Sequence, residues 1–166
     1  LPDAHRDALV EASAQGVEVA LVTGRGFHFT GAVVALLPIP LTLIVNNGAV
    51  VKRKTGETEL RHVLPREAAR RVLDGTRHVE DSVALVFDRP NERQIVFERM
   101  DWSHPHRRGY YEKNKAFIAQ TPSPLRDMLT EDPIQVMFNG GVEPMRALVA
   151  SLRAMPIADQ FSVAIT

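Results

Sequence analysis

The residues with the most chemistry to offer stand at the end of an apolar run. Val17 to Val22 is nearly all aliphatic and leads straight into Thr23-Gly24-Arg25. A threonine hydroxyl can donate to an anion. A glycine lets backbone approach closely, and a guanidinium adds charge and a fork that fits phosphate. A second apolar run, Leu41 to Val45, leads into Asn46, Asn47 and Gly48, which supply an amide and another permissive backbone. In open α/β sheets ligands sit beyond the carboxyl ends of the strands. Two such ends side by side would hold a phosphate-bearing small molecule between Thr23, Gly24, Arg25, Asn47 and Gly48. The alternative is a pair of plain turns that use glycine only for geometry.

The elements that must position these residues follow from the pattern around them. Pro2 and Asp3 start a helix and Gly16 stops it, with Ala8, Leu9 and Ala12 as a modest apolar stripe. Val17–Val22 reads as a buried strand. Phe29, Val33, Leu36 and Leu37 share one helical face, so the spacing predicts a helix from about Phe27 to Leu37, closed by Pro38 and Pro40. A helix starting so soon after Arg25 would aim its free N–H groups and positive dipole end at the same space. Helix, strand, helix, strand is the pattern of a parallel α/β sheet. Two strands alone would not be stable, so strands from outside residues 1–50 must complete it.

Beyond Val51 the character changes. "VKRKTGETELRHV" reads as a hairpin turning at Thr55-Gly56. Pro65 opens a helix whose apolar side is Ala68, Val72 and Leu73. "SVALVFD" and "RQIVFER" are strands joined near Pro90, and "PIQVMF" is a third. Pro144 to Ala154 is a helix with Met145, Leu148, Val149 and Leu152 on one face. The closing "FSVAIT" reads as a strand. The chain opens at a helix start and closes on that strand, so both ends are expected to be cuts within a longer protein.

Bulk composition narrows the classes. Of 166 residues 45% are hydrophobic, enough for one domain or two small lobes. Net charge is zero, which gives no broad attraction to nucleic acid or to an anionic membrane surface. Without cysteine there are no disulfides or thiolate metal sites, as suits a cytoplasmic protein. The longest apolar stretch, Ala32 to Val45, is broken by Pro38 and Pro40 and is too short to span a bilayer.

"LPDAHRDALVEASAQGVEVALVTGRGFHF" followed by "LIVNNGAVV" resembles the haloacid dehalogenase superfamily, and within it the Cof-type phosphatases with a type IIB cap. The family motifs match at Thr23, Gly24, Arg25 and at Asn47, Gly48, Ala49. The resemblance implies an α/β fold: part of a Rossmann-like parallel three-layer core over residues 1–51, and an α+β cap over residues 52–166. It implies an Mg2+-dependent phosphomonoester hydrolase acting through an aspartyl-phosphate on a small phosphorylated metabolite, a sugar phosphate above all. Thr23 would be its catalytic residue in this chain. The family's Asp-x-Asp-Gly segment, its lysine and its metal-binding acids have no counterpart here, so the Mg2+ ligands are expected outside this chain and the polypeptide alone is expected to be inactive. The competing reading is a non-catalytic phosphometabolite-binding or regulatory module. A third is an unrelated nucleotide-binding α/β domain.

Other stretches carry weaker chemistry. "HPHRRGYY", His104 to Tyr111, reads as a solvated loop leading into a helix. Its functional reading is substrate selection by Arg107, Arg108 and Tyr110 in the cap, rather than metal binding by His104 and His106. "FNGGVEP" lacks the lysine of a P-loop and reads as an ordinary turn. Trp102, the single tryptophan, is assigned to packing.

Overall fold

A computed structural model describes residues 1–90, 92–103 and 105–165. The chain forms two compact units, Leu1–His62 and Val63–Ile165. In the first, helix α1 (Asp3–Ala14) leads to strand β1 (Ala20–Val22). A 3-10 turn (Phe27–Thr30) and a short helix α2 (Gly31–Val34) follow, then strands β2 (Thr42–Val45), β3 (Val50–Arg53) and β4 (Thr58–Arg61). They make one four-stranded sheet in the order β1-β2-β3-β4. β1 and β2 are parallel, with Val22 opposite Ile44, and the remaining pairs are antiparallel. The sheet is thus completed by the hairpin after residue 50. That hairpin belongs to the first unit because β3 bonds along the whole of β2. The compact unit that holds this hairpin runs to His62.

Apolar residues of β2 explain why this sheet holds. Leu43 and Val45 are fully buried with Val50, and Val34, Leu37, Ile39 and Leu41 are buried as well. Burial at about 25 cal/mol per Å² makes each such aliphatic side chain worth roughly 1.5–3 kcal/mol. β1 is different. Only three residues of the expected Val17–Val22 strand enter the ladder, and Val22 is 70% exposed. β1 bonds to β2 alone, and α1 buries none of its residues. The expected helix over 27–37 is also broken up. The Thr30 hydroxyl bonds the Phe27 carbonyl at 2.6 Å, Gly31 follows, and α2 lasts four residues.

The second unit contains helix α3 (Arg66–Gly75), strands β5 (Val83–Val86) and β6 (Ile95–Phe97), helix α4 (Pro105–Asn114), strands β7 (Ile118–Gln120) and β8 (Gln135–Phe138), and helix α5 (Val142–Arg153). Its sheet runs β7-β6-β5-β8, with β6 and β7 parallel and β5 antiparallel to both β6 and β8. α3 has two apolar edges. Ala69 and Leu73 pack with Val83, Leu85, Phe87 and Val96, while Ala68 and Val72 pack with Leu148, Leu152 and Ile157. Phe97, which alternates to the opposite face from Val96, meets Trp102 and Tyr111 edge-on at 5.8 and 6.2 Å. Of the expected strand "FSVAIT", residues 161–165 are described and form no strand. Phe161 and Val163 instead pack partly buried beside the α3–α5 cluster. Among the described residues no helix is long and apolar enough to cross a membrane.

Arg107 ties the second unit together. Its side chain is 6% exposed, and its Nε and Nη2 donate to the Asn139 side-chain and backbone oxygens at 2.7 and 2.6 Å. Nη1 donates to the Asp101 carbonyl at 2.9 Å and pairs with its carboxylate at 3.2 Å. The guanidinium is consumed internally, so its expected part in substrate selection is corrected to a structural one. Replacing Arg107 by Ala removes all of these hydrogen bonds and should lower the unfolding free energy by about 2–4 kcal/mol in urea titration. Arg107→Lys should recover little, because an ammonium cannot reproduce the fork.

Candidate functional site

The parallel pairing of β1 and β2 brings both strand ends to the same edge. The Thr23 N–H donates to the Ile44 carbonyl at 2.9 Å and carries the ladder one residue past β1. After this the Asn46 N–H donates to the Arg25 carbonyl at 2.9 Å. The two loops are thus joined by backbone on both sides of Gly24. The Asn47 side chain lies against that glycine, so that a Cβ at position 24 would stand 2.5 Å from its Oδ1. These two backbone bonds and the Asn47 contact bring the Thr23–Arg25 loop beside Asn46 and Asn47.

Local conformation explains why asparagine and glycine occupy the second loop. Asn46, Asn47 and Gly48 all have positive φ, at 52°, 56° and 93°. Asparagine tolerates the left-handed region better than other side chains, and glycine visits it freely. Asn46 is not among the residues that the sequence pattern assigns to the site. It is buried, its side-chain amide faces Gly26, and its backbone makes the tie to Arg25. The Asn-Asn-Gly run was the available signal for such a tight, left-handed turn.

The polar groups have defined orientations. The Thr23 Oγ1 accepts from the Arg25 N–H at 3.2 Å, and the threonine is half-buried. Arg25 is exposed, with no ion pair among the described residues. The helix expected to aim its dipole here is a 3-10 turn followed by one α-helical turn, so few aligned peptides contribute. Arg108 and Tyr110 are exposed on α4. The site's donors are a hydroxyl, an amide and a guanidinium, and no cluster of three or more His, Asp or Glu able to hold a metal exists among the described residues. This donor set does not suit Mg2+, which prefers carboxylate oxygens.

A sequence profile of the haloacid dehalogenase-like hydrolases matches residues 1–155. The chain belongs to that family. No curated protein sequence matches it. Among solved structures it resembles a haloacid dehalogenase-like hydrolase from Bacteroides thetaiotaomicron, with a TM-score of 0.73 at 18% identity over 97% of this chain and 59% of that one. It also resembles a protein from Thermotoga maritima, with a TM-score of 0.70 at 15% identity, covering 92% of this chain and 55% of that one. A subclass IIB sugar phosphatase gives 0.64 at 16% identity over 91% of this chain and 56% of its own. The fold is thus the mixed α/β fold of these hydrolases, and the chain spans a little over half the length of the structures it matches.

Gly24 supplies a direct check on the loop geometry. Gly24→Ala should push the Asn47 side chain away while costing about 1 kcal/mol or less in stability, because only a side-chain end has to move. In an Asn47→Ala background the same substitution should cost nothing further. A double-mutant cycle followed by thermal unfolding measures that coupling.

Proposed function

We propose that this chain is part of a phosphomonoester hydrolase that acts on a small phosphorylated metabolite, with a sugar phosphate as the favoured class. In this reading the first unit belongs to the hydrolase core and the second is a cap that selects the substrate, with Arg108 and Tyr110 as its remaining candidate contacts. A cytoplasmic setting belongs to the same reading. The observation that carries it is the backbone-joined pair of loops, Thr23–Arg25 and Asn46–Gly48, at the carboxyl ends of parallel strands in a chain of this family. The fold shared with a sugar phosphatase supports the choice of substrate class.

Each residue has a definite part. The Thr23 hydroxyl accepts from the Arg25 N–H and so keeps its own proton for a phosphoryl oxygen. Arg25 offers a guanidinium that makes no ion pair among the described residues and is exposed to solvent, where it can meet a phosphate with two parallel N–H bonds. The Asn47 amide, packed against Gly24, stands ready to orient a sugar hydroxyl or phosphate oxygen. An aspartyl-phosphate route also needs a carboxylate nucleophile, and Thr23–Arg25 and Asn46–Gly48 contain none. These loops hold and orient, and no step is assigned to a metal. That same lack favours a second reading for the polypeptide in isolation, a module that binds the phosphometabolite without turning it over.

Two measurements separate these readings. Inorganic phosphate added to the isotope-labelled protein should shift the backbone amides of Thr23–Arg25 and Asn47, and Thr23→Val should weaken that binding by about tenfold. If phosphate leaves these amides unmoved, the site is not an anion site. Incubation of the chain with a chromogenic phosphomonoester and Mg2+ should give background hydrolysis alone. Robust turnover would place a nucleophile elsewhere in the chain.

A further inference from the structure

A cavity of about 350 Å³ opens within the second unit, far along the sequence from the loops discussed so far. That is the lower end of the range for small-molecule sites. Its apolar lining is Phe87, Val96 and Met128, of which the first two are core residues of the sheet. Its polar lining is Arg89, Glu92, Arg93 and Thr130.

The two arginines differ. Arg89 is committed to the protein. It pairs with Glu131 at 2.6 Å, donates from Nη1 to the Arg93 carbonyl at 2.8 Å, and stacks 4.0 Å from the Phe87 ring centroid. Arg93 is not. Among the described residues its guanidinium meets no carboxylate and reaches the Met128 thioether at 3.8 Å, a weak acceptor for a cation. Its backbone adopts φ 63°, and the other described non-glycine residues with positive φ are both asparagines. An arginine in that region is disfavoured, and the Arg89 bond to its carbonyl holds it there. The strain thus directs an uncommitted cation to the edge of an apolar cavity.

The charge balance selects the ligand. Glu92 lines the same cavity and makes no ion pair among the described residues. A phosphate dianion on Arg93 would stand near this carboxylate, whereas a zwitterion satisfies both charges. We propose that the cavity binds a small apolar α-amino acid, its carboxylate on Arg93, its ammonium on Glu92, and its side chain over Phe87, Val96 and Met128. Thr130 supplies a hydroxyl at the polar side. Nothing in this assignment depends on phosphate binding at Thr23.

Titration of the isotope-labelled chain with L-leucine, isocaproate and inorganic phosphate tests the assignment. Leucine should shift the amides of residues 92–96 and 128–130 saturably, with a dissociation constant on the order of 1 mM. Isocaproate, which lacks the ammonium, should bind several-fold more weakly. Arg93→Ala should weaken leucine binding by about tenfold or more. Arg93→Gly should do the same while relieving the backbone, so that an intact amide spectrum separates lost binding from lost fold. Arg146→Ala, on α5, should leave binding unchanged. No saturable shift up to about 50 mM leucine would overturn the proposal. So would unchanged binding in Arg93→Ala, equal binding of isocaproate, or a stronger effect of phosphate on the same amides.

Discussion

The candidate site depends on one hydrogen bond, from the Asn46 N–H to the Arg25 carbonyl. Parallel strands have no tight turn between them, so nothing local keeps the loops after their ends together. Here the ladder runs through Thr23 N–H to Ile44, and the Asn46 bond then closes the gap beyond it. The left-handed run over Asn46, Asn47 and Gly48 turns that N–H inward and presses the Asn47 side chain onto Gly24. Ordering a backbone residue costs about 1–2 kcal/mol. Folding has already met that cost, so an anion arriving at these loops finds its partners assembled.

Much of this was legible in the sequence, and its failures share a cause. The apolar runs before Thr23 and Asn46 identify strands, and the glycines and asparagines after them identify turns. Neither reports what lies on the far side of a strand. Val17 to Val22 reads as buried from its composition, yet β1 has a partner on one edge and Val22 faces solvent. Phe161, Val163 and Ile165 alternate as in a strand, yet no ladder forms. Alternation records one-sided burial, which Phe161 and Val163 achieve beside α3 and α5 without forming a strand. The spacing of Phe29, Val33, Leu36 and Leu37 is helical. Its local chemistry is not, since the Thr30 hydroxyl and Gly31 interrupt the helix after a single turn.

The arginines show the same limit in electrostatic form. Sequence alone makes Arg25, Arg93 and Arg107 equivalent cations in a neutral chain. Their surroundings give them three different parts. Arg107 is enclosed by Asn139 and Asp101 and spends its donors on cohesion. Arg93 is held in a disfavoured backbone conformation with a thioether as its neighbour. Arg25 extends into solvent while its backbone N–H is anchored to Thr23. A guanidinium is informative about ligands in proportion to the donors that its own protein leaves unused.

Thr23 carries that reasoning to the chemistry. A hydroxyl has one proton to give and two lone pairs to accept with. The Arg25 N–H already occupies an acceptor position, and Thr23's own N–H is spent on Ile44, so the donor that remains to the residue is its hydroxyl proton. That proton suits a phosphoryl oxygen and does nothing to attack phosphorus. A carboxylate nucleophile near the same spot would benefit from charge drawn off by Thr23, Arg25 and Asn47, because positioning and charge neutralisation dominate phosphoryl transfer. Binding and attack are thus separable tasks in this architecture, and the part proposed for these loops is the first.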